Sequence, residues 1–270
     1  MKTIVITGAS EGLGAEMARQ LAATHGGACA LVLAARNANA LAAVAASCEA
    51  LGAQTLVVPA DVSVEPQCRA LIDAAVARFG RIDVLVNNAG MSAQALLADV
   101  QAADLAWYET LMRINHWGSV WCTHAALPHL KATRGSILAV SSLAGLVGVP
   151  GRTAYSATKF AMTGFFEALR TELLGAGVSV TIAYPGVVAT DIRRRGFNAA
   201  GQPAGTSGLK EDKAMPVATC VQLMLTGLER RQREVLMTPR DKLARVLKFL
   251  WPALVDKMAL AALNDNVKPR

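Results

Sequence analysis

The chain opens with a β-branched run, Thr3-Ile4-Val5-Ile6-Thr7, that gives way to a turn with glycine at Gly8, Gly12 and Gly14. Behind it, Ala15 to Ala23 keeps apolar residues at helical spacing. The run predicts a buried strand, the glycines a turn, and the following segment a helix packed on that strand. Glycines let backbone N–H groups approach a ligand closely, and a helix N-terminus adds partial positive charge, so the unit suits a pyrophosphate. The spacing is G-x-x-x-G-x-G, not the G-x-G-x-x-G of longer dinucleotide-binding domains. Alone, such glycines can also make a plain tight connection. Their place directly after the first strand favours nucleotide binding.

The same alternation continues down the chain. Candidate strands lie at 3–7, 29–35, 55–60, 82–87, 136–141, 179–184 and 234–238, and helical segments near 12–25, 38–51, 65–79, 101–130, 155–175, 216–231 and 241–263. This order predicts an α/β fold of the Rossmann type, a parallel sheet with helices on both faces. A composition that is 53% hydrophobic and only 5% aromatic fits helices packed closely on such a sheet.

Tyr155 and Lys159 stand four positions apart at the head of a helical segment, which puts phenol and ammonium on one face. A fixed positive charge favours a phenolate, so the pair is equipped to move a proton at a carbonyl or alcohol. By itself Tyr-x-x-x-Lys is also common on structural helices.

Taken together, the glycine turn and the Tyr155/Lys159 pair resemble the short-chain dehydrogenase/reductase family in its single-domain form. Asn87-Asn88-Ala89-Gly90, Asn115, Ser141-Ser142, and Pro185-Gly186 followed by Thr190 extend the likeness in the family's order, with Ser142 thirteen positions ahead of Tyr155. It runs from about Thr3 to Thr190 and more loosely to Pro239. The resemblance implies seven strands in the order 3-2-1-4-5-6-7 and reversible hydride transfer between a nicotinamide and a carbonyl or secondary alcohol. It implies Tyr155 as acid and base, Lys159 as its support and a ligand of the nicotinamide ribose, Ser142 as donor to the substrate oxygen, and Asn115 as holder of a water that links Lys159 to solvent. Ser142 also reads as a strand-end cap, and Asn115 as a residue satisfying a helix kink. His116 reads as a packed or surface imidazole.

The implied coenzyme set is Gly8, Ser10, Glu11, Gly12, Leu13, Gly14, Arg36, Asp61, Val62, Asn88, Ala89, Gly90, Tyr155, Lys159, Pro185, Gly186, Val188 and Thr190. Within it, Asp61 resembles the residue that meets the adenine amino group, and Thr190 the one near the phosphates. Strand two ends Ala34-Ala35-Arg36-Asn37 with no acidic residue to select the free ribose of NAD(H). A guanidinium there can pair with a 2′-phosphate, so NADP(H) is expected over NAD(H). Glu11 departs from the NADP pattern, in which a basic residue often occupies the glycine turn.

Met91, Val149, Ile192 and Phe197, with Ser142 and Tyr155, are the expected substrate contacts. They suggest an apolar, lipid-like ketone, although Arg152 and Arg193 to Arg195 offer an anionic group a partner instead. Residues 191–215 are long and glycine-rich and read as a substrate lid. Residues 1–239 read as the catalytic domain and 240–270 as an amphipathic helical extension. In the extension, Leu243, Val246, Leu247, Leu250, Leu254 and Met258 recur at helical spacing, interrupted by Pro252. Burial against the protein or a partner subunit is the expected arrangement, and contact with an anionic membrane surface the alternative. A homodimer or homotetramer is implied by the resemblance.

The net charge of +7 is concentrated after Arg230, and no nucleic-acid-binding module accompanies it. Cys29, Cys48, Cys68, Cys122 and Cys220 lack metal-ligand spacing and are expected reduced; no metal is expected. With the first strand beginning at Thr3 and no long charge-free apolar stretch, a cytoplasmic protein is expected, with membrane association as the alternative. A nucleotide sensor or a membrane-surface adaptor on the same fold is the rival reading; retention of both Tyr155 and Lys159 speaks against it.

Overall fold

The computed structural model describes residues 1–264, so the end of the extension, Asp265 to Arg270, lies outside the described residues. In chain order the elements are β1 (Lys2–Thr7), α1 (Gly12–His25), β2 (Cys29–Ala35), α2 (Ala38–Glu49), β3 (Gln54–Pro59), α3 (Glu65–Phe79), β4 (Val84–Asn87), α4 (Ala106–Met112), α5 (Gly118–Thr133), β5 (Ser136–Val140), α6 (Thr153–Glu172), β6 (Ser179–Tyr184), α7 (Ile192–Arg195), α8 (Val217–Glu229), β7 (Glu234–Leu236), α9 (Pro239–Leu250) and α10 (Pro252–Ala261). The strands form one sheet in the order β3-β2-β1-β4-β5-β6-β7, and every pairing is parallel. Order and direction agree with the sequence expectation.

Alternation along each strand divides the core into two layers. Ile4, Ile6, Leu31 and Leu33 face Met17 and Leu21 of α1, Leu41 of α2 and Met224 of α8. Val5, Val32, Leu85 and Ile137 face Leu71 and Ile72 of α3, Cys122 of α5 and Phe166 of α6. Each such side chain, fully withdrawn from water, contributes roughly 1.5–3 kcal/mol. The strands of a doubly wound sheet all end on one edge, and that edge carries the cleft described below.

The helix expected over 101–130 is more broken than its periodicity suggests. Short 3₁₀ turns at Leu97–Asp99 and Ala102–Asp104 precede α4, and a π turn, Arg113–Trp117, separates α4 from α5. Past the π turn, Gly118 meets strand-edge backbone: a β-carbon there would lie 2.8 Å from the Val62 carbonyl oxygen.

The 191–215 segment is tied down by backbone bonds. The Phe197 N–H donates to Ser92 O at 3.0 Å, and Phe197 O accepts from Gln94 N–H at 2.7 Å. Gly196 has no room for a side chain, because a β-carbon would come within 2.5 Å of Ser92 O.

The extension breaks at Pro252, with Trp251 non-helical between α9 and α10. Its apolar stripe is not buried in its own subunit. Leu243, Val246, Phe249, Leu250, Trp251 and Leu254 are all exposed, and α9 has no buried residue. Anchorage comes from buried Val255 and Leu263, and from backbone pairing of Ala262 and Asn264 with Lys210 and Gly208. No helix among the described residues is long and apolar enough to cross a membrane.

Candidate active site

The glycine turn is held by its neighbours. Thr7 Oγ1 accepts the N–H groups of Asn88 (3.1 Å) and Ala89 (3.0 Å), and Asn88 Nδ2 donates to the carbonyls of Thr7 (2.9 Å) and Gly8 (3.1 Å). Asn88 therefore joins the ends of β1 and β4, as well as lining the cleft. Gly8 is left-handed, with φ of 66°, and a β-carbon on Gly14 would fall 2.2 Å from Gly8 O. The loop passes so close to the start of α1 that only glycine fits, which leaves backbone N–H groups facing outward.

A cleft of about 680 Å³ runs from this turn along the carboxyl edge of the sheet. At one end lie Arg36, Asn37, Asp61 and Val62, and at the other Met91, Ser142, Tyr155 and Ile192. Asn37 caps α2, accepting the Ala40 N–H at 3.0 Å. Asp61 spends one carboxylate oxygen on Ser63, accepting its N–H at 2.9 Å and its hydroxyl at 2.7 Å. Pro185, Gly186, Val188 and Thr190 complete the opposite wall. A long groove that starts at a glycine turn and a helix N-terminus fits a dinucleotide.

At the far end, the first turns of α6 carry Tyr155 and Lys159 into the cleft. Tyr155 is 8% exposed, with the Lys159 ammonium 5.8 Å from its ring centre and the Arg152 guanidinium stacked over it at 4.3 Å. Lys159 Nζ donates to Val140 O at 2.9 Å, and burial pushes this amine below its ordinary value while Tyr155 opposes the shift. Gly90 leaves room for the group: a β-carbon there would stand 3.2 Å from Asn115 Oδ1 and 3.7 Å from Lys159 Nζ.

Asn115 sits on the π turn and is fully buried, so it does not line the cleft. Its Oδ1 accepts the Met91 N–H at 2.7 Å, and its Nδ2 donates to Met91 O (2.9 Å) and Thr158 Oγ1 (2.9 Å). It clamps the chain after β4 to α6. Ser142 Oγ accepts the Ala144 N–H at 3.2 Å and donates to Pro185 O at 3.3 Å, so the cap reading holds alongside its place on the wall. Neighbouring Ser141 turns toward α6, donating to Lys159 O at 3.2 Å.

Three further residues expected to touch ligand stand away from the cleft. Val149 and Phe197 do not line it but pack against a cluster of Ala93, Trp107, Leu111, Ala144, Ala154 and Tyr155, with the Phe197 ring 5.7 Å from the Trp107 indole. Gly14 lies behind the cradle rather than on its surface. In their place come Arg152, Arg193 and Arg195, together with Ile114, which had no sequence signal. Arg193 is buried, paired with Glu211 at 2.5 Å and donating to Val188 O at 2.8 Å. Arg195 forms an ion pair with Glu11 across the cleft mouth, so the acid that departs from the NADP pattern has a cation beside it.

The short chain dehydrogenase family model matches residues 2–228. The chain belongs to the short-chain dehydrogenase family. As a member it is an NAD(P)-dependent oxidoreductase acting on CH–OH groups. Among similar proteins, 11-beta-hydroxysteroid dehydrogenase 1A of Arabidopsis thaliana is 36% identical over 262 residues, covering 94% of this chain and 73% of the relative. A short chain dehydrogenase/reductase from Burkholderia phymatum, solved in complex with NAD, is 27% identical with a TM-score of 0.79, covering 94% of each chain. An alcohol dehydrogenase from Thermococcus sibiricus, complexed with 5-hydroxy-NADP, is 25% identical with a TM-score of 0.74, covering 87% of this chain and 94% of the other.

Proposed function

We propose that residues 1–239 form a catalytic domain that transfers hydride between NADP(H) and a carbonyl or secondary alcohol of an apolar, lipid-like molecule, with Tyr155 handling the proton. The nicotinamide supplies or accepts the hydride. Tyr155 gives its phenolic proton to the substrate oxygen in reduction and takes it back in oxidation, a contribution on the order of 10²–10⁴ in rate. Ser142 Oγ donates to that oxygen, and Lys159 supports the phenolate and holds the coenzyme ribose. The observation that carries this reading is the convergence of Tyr155, Lys159 and Ser142 on one end of a cleft whose other end is a phosphate cradle.

The preference for NADP(H) is supported by Arg36 at the end of β2, by the absence of an acid there, and by the pairing of Glu11 with Arg195. The apolar substrate is supported by Met91 and Ile192 on the cleft wall and by the steroid named for the plant relatives. A homodimer or homotetramer, or contact with a membrane, would cover the exposed stripe of the 240–270 extension.

The test is a screen of ketones and secondary alcohols with NADPH, NADP, NADH and NAD, followed at the absorbance of the reduced coenzyme. Tyr155→Phe is expected to abolish turnover while still binding NADPH, and Arg36→Asp to shift preference toward NADH. Turnover by the phenylalanine variant at the parent rate would end the acid–base assignment, and equal use of NADH by the parent would end the coenzyme assignment.

A further inference from the structure

We infer that Arg152 is the subsite for a carboxylate carried by the substrate near its reacting carbonyl. The inference rests on the hydride-transfer reading of the same cleft and narrows its substrate to amphiphilic oxo- or hydroxycarboxylates.

Arg152 sits on a fixed base. Its N–H donates to Val149 O at 3.1 Å, its carbonyl accepts the Ser156 N–H at 2.8 Å, and its backbone bridges to Ala95. The side chain lines the cleft yet is only 8% exposed. Its Nη2 donates to the neutral Ser92 hydroxyl at 2.5 Å, and its buried Nε has no partner at all. Among the described residues it forms no ion pair, whereas Arg193, the other buried arginine of the cleft, is matched by Glu211 at 2.5 Å.

A guanidinium does not escape this position by losing its proton. Left without a counter-charge in a site from which ligands expel water, it is strongly unfavourable. Nε and Nη2 are turned toward the buried Ser92, which does not line the cleft, so the nitrogen left to a ligand is Nη1, which has no partner among the described residues. A carboxylate reaching Nη1 from the cleft supplies the missing counter-charge through a charge-assisted bond. The stack of 4.3 Å over the Tyr155 ring fixes where that anion lies: beside the reacting carbon, not at the far end of the molecule.

The experiment compares a medium-chain γ-oxocarboxylate with its methyl ester, which keeps the ketone and removes the charge. Reduction by NADPH and calorimetric binding to the protein–NADPH complex are both measured. The parent is expected to favour the acid over the ester roughly 10- to 100-fold in kcat/KM and in affinity, the range of a hydrogen bond to a charged group. Arg152→Gln is expected to bring that ratio close to one, and Arg152→Lys to restore part of it. A parent indifferent to the charge, or a ratio unchanged in Arg152→Gln, overturns the subsite; the latter with both rates depressed would make Arg152 a support for Tyr155 alone. If neither compound is reduced but the acid still binds in an Arg152-dependent way, the hydride-transfer reading fails and the subsite stands. Should Arg152→Gln not fold, Arg152→Lys decides: an acid preference smaller than the parent's supports the subsite, and an unchanged one overturns it.

Discussion

Removing the Asn115 side chain separates a clamp from a catalyst. In Asn115→Ala, the Met91 N–H and C=O both lose the partners found at 2.7 and 2.9 Å, and Thr158 Oγ1 loses its donor. The Thr158 hydroxyl keeps its bond to Tyr155 O at 2.8 Å, so the two Met91 groups bear most of the loss. An unsatisfied buried polar group costs about 1–3 kcal/mol, which gives a destabilisation of about 2–6 kcal/mol for the pair. For a chain of this size, at about 2–4 °C per kcal/mol, that is a fall in Tm of about 4–24 °C. Asn115→Asp keeps the acceptor for the Met91 N–H but turns the second carboxylate oxygen toward Met91 O, and is expected to be no more stable than the alanine variant. Urea unfolding followed by tryptophan fluorescence measures both. Activity falls too, because Met91 lines the cleft. If Asn115→Ala unfolds within about 0.5 kcal/mol of the parent while losing activity, the clamp reasoning is wrong.

Three further outcomes are expected. Gly14→Ala forces a methyl against Gly8 O, 2.2 Å away, and should weaken NADPH binding by about 5- to 150-fold, as overpacking of about 1–3 kcal/mol implies; a fluorescence titration with parent-like affinity would contradict this. Burial holds the His116 imidazole below its ordinary value, and its Nδ1 is buried without a partner. The unfolded chain therefore binds that proton more readily: the stability is fully present above about pH 6.5 and is lost as pH falls, by at most about 1.4 kcal/mol per pH unit. His116→Gln should flatten the slope of urea midpoint against pH between about 7 and 5, and an unchanged slope would refute the assignment. Burial pushes the Cys220 thiol up to about 12, so iodoacetamide at about pH 8 should leave it unmodified in the folded protein and label it once urea is added; labelling of the folded chain, read by mass spectrometry, would refute its inertness.

Much of the architecture was legible because period and punctuation agree. The β-branched runs carry β1 and β6, and the glycine turn marks the head of α1. Pro252 marked the break in the extension for a local reason, its missing N–H. What escaped depends on contacts between distant segments. Asn115 was legible as a residue at a helix kink, but not its partner: its side chain reaches back to Met91, twenty-four positions away, while Ser119 Oγ donates to its carbonyl. Phe197 looked like a pocket wall from its place after β6, but Trp107 offered its ring a dry partner. The apolar spacing of α9 announced an amphipathic helix correctly, yet spacing says nothing about what covers the stripe.

The π turn has one more consequence. Such a turn houses a surplus residue, and deleting one position between Arg113 and Trp117 would regularise the hydrogen bonding of the helix. The deletion would also rotate everything ahead of it by about 100° about the axis. Trp107, whose indole N–H donates to Ala199 O at 3.2 Å and whose ring packs on Phe197, would swing out of phase with that segment. A tidier helix would thus free the 196–203 segment from Trp107, so the irregularity acts as a phase-setting shim between the Asn115–Met91 clamp and the Trp107 contact.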